Sequence, residues 1–177
     1  MTDPVPYEPA ENIPPIVVWR QAGSVVSPGP FNVVEVLQTG DPPALPTSVP
    51  FTVPIIEYNL DDTVEYRVFV DVSATIAGIE YQGQVAPSGK RQRDVAFSLS
   101  TQTGPFANAE TRCHKVMLVI SDRSWKSGGR VFYEVPEDAG GEPVTTPAFV
   151  QWLVWVDDGT GDPRTGIGAC AGQTFPE

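Results

Sequence analysis

Prolines are spread through the whole chain and constrain its fold more than any other feature. The 177-residue sequence holds 19 of them, about twice the usual share of ~5%. Proline removes a backbone donor and clashes with the preceding helical turn, so it interrupts any long helix. No segment shows a 3.6-residue hydrophobic period with caps. We therefore expect an all-β protein.

The apolar segments are short and rich in Val, Ile, Thr and aromatic residues, which is typical of β-strands. The clearest is 62–74, in which Val64, Tyr66 and Val68 alternate with polar residues. The other strand-like segments are 16–20, 31–38, 51–58, 75–85, 93–100, 111–122, 130–135 and 147–158. Their short spacing, with turn residues between them, suggests an antiparallel sandwich or barrel. We favour an antiparallel two-sheet β-sandwich of about eight or nine short strands.

Three features predict where particular strands lie. Segments 116–120 and 148–156 are apolar on both faces, so we expect them in the middle of a sheet. Trp152 and Trp155 differ in parity and should point to opposite faces, one into the core and the other under a loop or into a contact surface. Both are candidate binding residues. Pro54 places its own strand at an edge or a bulge.

The chain length fits one domain, and 41% hydrophobic residues are enough for a sizeable core. Residues 1–14 are acidic and proline-rich, which predicts an extended arm or tether ahead of a single sandwich domain at 15–177. The alternative is a tail that packs on the domain surface.

The net charge is −11, from 22 acidic and 11 basic residues. Phosphate backbones would be repelled by most of such a surface, so we do not expect a nucleic-acid partner. No apolar run approaches the ~18 residues of a membrane helix. The N-terminus also lacks the regions of a secretory signal. Either the protein is cytosolic, or an export signal was removed and Met1 was added for expression; we favour the second.

The only histidine, His114, directly follows Cys113 in the stretch TRCHKVMLVISD. Adjacent strand residues point to opposite faces, which argues against a Cys-His nucleophile. One histidine with two distant cysteines is also a poor zinc set. We favour a disulfide between Cys113 and Cys170, with two free thiols as the alternative. The bond would tie the glycine-rich C-terminal segment to the core and indicates an oxidising compartment.

Two clusters of charge are candidate binding sites. Asp157, Asp158 and Asp162 lie in the glycine-containing stretch VDDGTGDPRTG. Closely spaced carboxylates of this kind could ligate calcium, although the spacing is not that of an EF-hand. The alternative is a solvated turn.

Lys90, Arg91 and Arg93 form a basic cluster in an acidic chain, next to a turn. They could contact an anionic partner, such as a polysaccharide, a lipid headgroup or an acidic protein. The alternative is a solvated loop.

No nucleophile elbow, P-loop or dinucleotide fingerprint is present in the sequence. We therefore assign no catalytic residue, expect no enzyme, and expect no cofactor apart from the candidate calcium ion.

The order CHKVMLVISD, a turn, a tryptophan-rich strand and a late cysteine, over 111–170, resembles β-sandwich domains of exported bacterial envelope proteins, particularly lipoproteins. The proline-rich start is similar to the spacer that follows a lipidated cysteine in such proteins, although that cysteine is absent here. An immunoglobulin or fibronectin III sandwich is the nearest architecture, but TRC stands in place of Tyr-x-Cys. The resemblance implies an exported protein of the periplasm, outer membrane or cell surface, with a lipid anchor in its precursor.

We therefore expect a non-catalytic structural or protein-binding module of a bacterial envelope or surface assembly. Its partners would be other envelope or assembly proteins, reached through the arm, exposed aromatic residues or an edge strand. A virion or filament subunit is the first alternative. A carbohydrate-binding or carbohydrate-active domain is the second.

Overall fold

The computed structural model describes residues 12–18, 33–71, 81–107, 112–127, 134–138, 140–141, 143–157, 159 and 170. These residues form eight β-strands and one short 3-10 turn at Pro105–Ala107. The strands are β1 (Ile16–Val17), β2 (Val33–Val36), β3 (Ser48–Ile56), β4 (Val64–Val70), β5 (Tyr81–Val85), β6 (Gln92–Ser100), β7 (Cys113–Ser121) and β8 (Ala148–Val156). The all-β prediction is confirmed.

The strands form two sheets, as predicted for a sandwich. A small sheet has the order β1-β3-β6, and a large sheet has the order β2-β8-β7-β4-β5. The described ladders are antiparallel except that β2 runs parallel to β8. This pair differs from the antiparallel prediction because the two strands are joined by most of the domain, so no hairpin sets their direction.

Strand alternation builds the core between the sheets. Phe51 of β3 stacks on Phe97 of β6 with ring centroids 4.9 Å apart, and Trp152 of β8 meets Phe51 edge-on at 5.2 Å. The large sheet contributes fully buried aliphatic side chains at alternate positions, among them Val68, Val116, Leu118, Ile120 and Val154. Each buried side chain of this size stabilises the fold by about 1.5–3 kcal/mol.

The segments that are apolar on both faces are interior strands, as predicted, since β7 and β8 each have two neighbours in the large sheet. Trp125, in the chain between β7 and β8, stacks on the guanidinium of Arg67 in β4, with 5.0 Å from Cζ to the ring centroid. Of the predicted strand 130–135, Glu134 and Val135 lie outside the named strands, and the rest is outside the described residues.

Pro54 lies where β3 loses its second partner among the described residues. β1 pairs with β3 only at Ile16↔Ile56 and Val17↔Ile55. The next amide, that of Val18, donates to the Pro54 carbonyl at 2.9 Å, and proline has no N–H to donate in return. The prediction of an edge strand at Pro54 is wrong, because β3 is the middle strand of the small sheet. The proline is tolerated because the described pairing with β1 covers only Ile55 and Ile56, so no ladder bond needs an N–H from Pro54.

Residues 1–11 of the predicted arm lie outside the described residues. The end of the arm packs against the domain. The Asn12 side-chain oxygen accepts hydrogen bonds from Asn59 and Arg123, each at 2.7 Å. For these last residues, the alternative of a tail that packs on the domain surface describes the structure better than a free tether.

Candidate functional site

The two cysteines are joined in a disulfide, with their Cα atoms 5.5 Å apart. Trp155 lies directly opposite Cys113 in the β7–β8 ladder. It packs with both cysteines and with Leu153 on the outer face of the large sheet. The bond therefore holds Cys170 over Trp155, and Cys113 has no thiol to offer as a nucleophile.

The two tryptophans point to opposite faces, as their parity predicts. Trp152 lies in the main core at 2% exposure, and Trp155 lies beneath the disulfide at 7%. Because both rings are buried, their role in this arrangement is packing. The prediction that Trp152 and Trp155 bind a partner is wrong for this structure, because neither ring is exposed.

His114 is a structural side chain at the start of β7. It is 1% exposed and lies against Phe106, with ring centroids 4.9 Å apart. Its Nδ1 lies 2.6 Å from Oδ2 of Asp71. The other Asp71 oxygen accepts the Lys115 amide at 2.7 Å, so the pair fastens the end of β4 to the start of β7.

The predicted basic cluster divides into one buried and two exposed residues. Arg93 is 5% exposed. It donates to the carbonyls of Asp62 at 2.6 Å and Leu60 at 2.7 Å, which makes it a support for the 57–62 turn. Lys90 and Arg91 are exposed. Only Lys90 and Arg91 of the predicted cluster are therefore available to contact an anionic partner.

Asp157 belongs to a turn after β8. Its carboxylate accepts the backbone amides of Gln38 at 3.3 Å and Gly159 at 3.0 Å. Asp158 and Asp162 lie outside the described residues. Among the described residues, no group of three or more His, Cys, Asp or Glu could hold a metal ion. The calcium site stays a prediction that a calcium-dependent rise in melting temperature would test.

A buried pair of carboxylates lies at the end of the sandwich where β3 and β7 finish. Glu57 is 0% exposed and Asp122 is 3% exposed. Glu57 accepts the Asn59 amide through Oε1 at 2.8 Å, and Asp122 accepts the Thr145 hydroxyl through Oδ1 at 2.7 Å. The second oxygens, Glu57 Oε2 and Asp122 Oδ2, are buried without a hydrogen-bond partner.

Burial raises the pKa of Glu57, and the nearby charges of Asp122 and Asp62 raise it further. The Asn59 amide and the Arg93 guanidinium act in the opposite direction but do not cancel the rise. Glu57 therefore holds a proton more readily than an exposed glutamate does.

The chain next to Glu57, and the segment that pairs with the end of β3, carry four exposed apolar side chains, which we call the Tyr58 patch: Ile13, Ile16, Tyr58 and Leu60, at 41%, 47%, 39% and 36% exposure. Two segments far apart in sequence supply them. The segments run side by side because β1 pairs with the end of β3 and because the Asn59 side-chain amide donates to the side-chain oxygen of Asn12. The Arg91 guanidinium lies over the Tyr58 ring at 5.2 Å, which gives the patch a basic rim.

Sequence reasoning missed both Glu57 and the Tyr58 patch. A signal for Glu57 existed, since it continues the inward parity of Phe51, Val53 and Ile55. Arg93 continues the inward parity of β6 in the same way. For the patch no comparable signal exists, because it depends on the pairing of β1 with β3.

A concave surface lies on the outer face of the β4–β5 pair. It has a volume of about 410 Å³ and is lined by Glu65, Tyr66, Arg67, Gln82, Gly83, Gln84 and Trp125. Its polar side chains are partly cross-linked, because Gln84 and Ser124 both donate to one oxygen of Glu65 at 3.2 Å. We call it the Trp125 groove.

No family model matches the sequence, and no curated protein matches it. One solved structure with a similar chain is the crystal structure of the complex formed between zinc 2-glycoprotein and prolactin inducible protein from human seminal plasma. The match covers 77% of this chain and 98% of that chain, with 9% sequence identity and a TM-score of 0.39. A likeness at this level supports no conclusion about family or role.

Proposed function

We propose that this chain is a non-catalytic, protein-binding module of an exported assembly and that it docks through the Tyr58 patch. The observation that carries the proposal is the exposed Tyr58 ring, with Arg91 stacked on it and with exposed isoleucines in the segment that pairs with the end of β3. Tyrosine and arginine are enriched among the residues that dominate protein–protein binding energy, and an apolar centre with a charged rim is typical of such interfaces.

The charge of the chain indicates the chemistry of the partner. The protein carries a net charge of −11, yet Lys90 and Arg91 are exposed next to Tyr58. A partner surface with carboxylates around an apolar centre would be attracted to this rim and repelled by acidic parts of the surface. The partner is therefore a protein with an acidic rim around an apolar contact.

The disulfide supports an exported setting, because such bonds persist mainly in oxidising compartments. A bacterial envelope or cell surface rests on the sequence resemblance alone. The part of the chain that the structure describes contains no helix long and apolar enough to cross a membrane.

Site-specific photo-crosslinking in the native cell tests the docking surface. Benzoylphenylalanine is placed at Tyr58 in one variant and at Tyr81 in another. These tyrosines are 39% and 42% exposed, so Tyr81 is a matched control away from the patch. We expect a discrete cross-linked product from position 58 that is absent from position 81 and is lost when Arg91→Glu is added.

Equal cross-linking from both positions, or a product from position 81 alone, would place the contact elsewhere on the molecule. The absence of any product from position 58 would also contradict the proposal.

Carbohydrate binding is a second candidate function, and the Trp125 groove favours it. An indole ring beside amide, carboxylate and guanidinium groups offers both a stacking surface and hydrogen bonds for sugar hydroxyls. A glycan array probed with the intact protein and with Trp125→Ala separates the two functions. Glycan binding that depends on Trp125 would favour the carbohydrate role.

A further inference from the structure

The buried carboxylates Glu57 and Asp122 each lack one hydrogen bond, although arginines lie nearby. Arg93 directs its guanidinium to backbone carbonyls, including those of Leu60 and Asp62. Arg123 donates to the Asp62 carboxylate at 2.7 Å and to Asn12. No described hydrogen bond joins either arginine to the unpartnered oxygens. Two buried carboxylates in this state are costly, because each loses its hydration without a compensating bond.

Three charged groups in the described part of the chain act on Glu57, and each comes from a different segment. Asp122 at the end of β7 and Asp62 ahead of β4 are acidic, whereas Arg93 at the start of β6 is basic. Arg123 is already paired with Asp62. Among the described residues, no ion pair therefore neutralises the two buried carboxylates of Glu57 and Asp122.

A proton on Glu57 would remove one buried charge and supply a donor. A protonated glutamic acid offers one O–H donor, whereas both unpartnered atoms are acceptors. With a proton on Glu57 Oε2, Oε1 can still accept the Asn59 backbone amide at 2.8 Å, and the repulsion between Glu57 and Asp122 is removed.

We propose that Glu57 and Asp122 form a carboxyl pair that holds a proton. The 57–62 turn is then most stable at acidic pH and becomes less stable as the pair loses this proton. Because the turn carries Tyr58 and Leu60, acidic pH would also stabilise the docking surface. This last link rests on the proposed function, whereas the proton on the pair does not.

The direction of the pH effect follows from the raised pKa of Glu57. The folded state binds this proton more tightly than the unfolded chain does. The stabilisation is therefore fully present below the ordinary glutamate pKa and is lost as pH rises through the folded value.

Melting temperature as a function of pH, compared between variants, tests the pair without any partner. Glu57→Gln supplies a permanent donor and keeps an acceptor for Asn59. Asp122→Asn does the same from the other side. Asp61→Asn removes an equal charge from an exposed residue of the same turn and is the matched control.

We expect Glu57→Gln to raise the melting temperature by about 3 °C above pH 7, an advantage that fades toward pH 4.5. Asp122→Asn should act in the same direction, and Asp61→Asn should leave the pH profile of the wild type unchanged. Hydrogen exchange of the Asn59 amide should slow up to about tenfold in Glu57→Gln relative to wild type at the same high pH.

The same dependence of melting temperature on pH in the wild type and in Glu57→Gln would contradict the proposed carboxyl pair. If that variant does not fold, a carbon-detected NMR titration of Glu57 in the wild type decides the matter. A midpoint in the ordinary glutamate range contradicts the proposal, and a raised midpoint supports it. A failure here leaves cross-linking at Tyr58 unaffected, so the two proposals can fail separately.

Discussion

Arg93 stabilises the 57–62 turn because its guanidinium donates to three backbone carbonyls of that turn. Its Nη atoms bond the carbonyls of Asp62, Leu60 and Asn59, and its Nε bonds the carbonyl of Lys90. A planar fork of five donors suits this arrangement, whereas the compact ammonium of lysine does not.

We predict that Arg93→Lys lowers the free energy of unfolding by about 1.5–3 kcal/mol, because buried carbonyls lose charged donors. Chemical denaturation measures the effect. The neighbouring Arg91→Lys is the matched control, since Arg91 is exposed and its change should remain within about 0.5 kcal/mol. Equal losses in the two variants would mean that the carbonyl bonds contribute nothing specific.

Gly83 is a second residue whose identity the structure explains. It lies opposite Tyr66 in the β4–β5 ladder, and the Tyr66 hydroxyl donates across to the Ala96 carbonyl of the small sheet at 3.0 Å. A Cβ at position 83 would lie 2.5 Å from the Tyr66 oxygen and 2.6 Å from Cζ. Burial, followed by the Tyr81 hydroxyl, raises the pKa of Tyr66 to about 12, so its O–H remains a donor at ordinary pH.

Gly83→Ala should therefore cost about 1–3 kcal/mol, because the ring must move and the bond between the sheets weakens. Thermal unfolding measures the loss. Gln82→Ala on the same strand points to solvent and should change stability little. A Gly83→Ala variant as stable as Gln82→Ala would show that the Tyr66 ring has room to shift.

At the scale of single elements, alternation and composition predicted most strands within a few residues. β6 begins one residue before its predicted start and ends at its predicted end, and β8 is one residue shorter at its start and two at its end. Segment 62–74 forms a strand only over Val64–Val70 in the described residues. It ends because Asp71 takes a left-handed conformation, with φ of 52°, and its side chain bonds His114. A contact with a distant strand fixes that end, so local pattern could not predict it.

The disulfide acts on the C-terminal segment as a whole, because it ties Cys170 to the first residue of β7. We predict that replacing both cysteines by alanine lowers the free energy of unfolding by about 4 kcal/mol, as the chain-entropy relation gives for a loop of this size. Denaturant unfolding under non-reducing conditions measures it. The wild type in reducing buffer should reproduce the loss.

A reduced wild type as stable as the oxidised protein would contradict this role of the disulfide.

The redox state of the same two cysteines also tests the cellular compartment. Intact mass after alkylation of protein from its native source should show a change only when reduction comes first. Alkylation of both thiols without reduction would contradict export and favour a cytosolic or virion-type setting.

At the scale of the whole molecule, the sequence was sufficient for the two-layer architecture but not for the candidate site. Inward and outward faces can be assigned strand by strand, because side chains alternate along a strand. The Tyr58 patch and the Glu57–Asp122 pair depend instead on which strand ends meet. Asn12 bonds Asn59 because β1 pairs with the end of β3. Glu57 and Asp122 follow strands of different sheets, so their proximity depends on how the two sheets pack.

The central claim is that this sandwich binds a protein partner through the Tyr58 patch. The most direct test is the affinity of the partner recovered by cross-linking, measured by calorimetry for Tyr58→Ala and for Tyr81→Ala. We predict that Tyr58→Ala weakens binding by about tenfold or more, while Tyr81→Ala leaves the dissociation constant unchanged. Equal affinities for the wild type and Tyr58→Ala, or a loss confined to Tyr81→Ala, would contradict the claim.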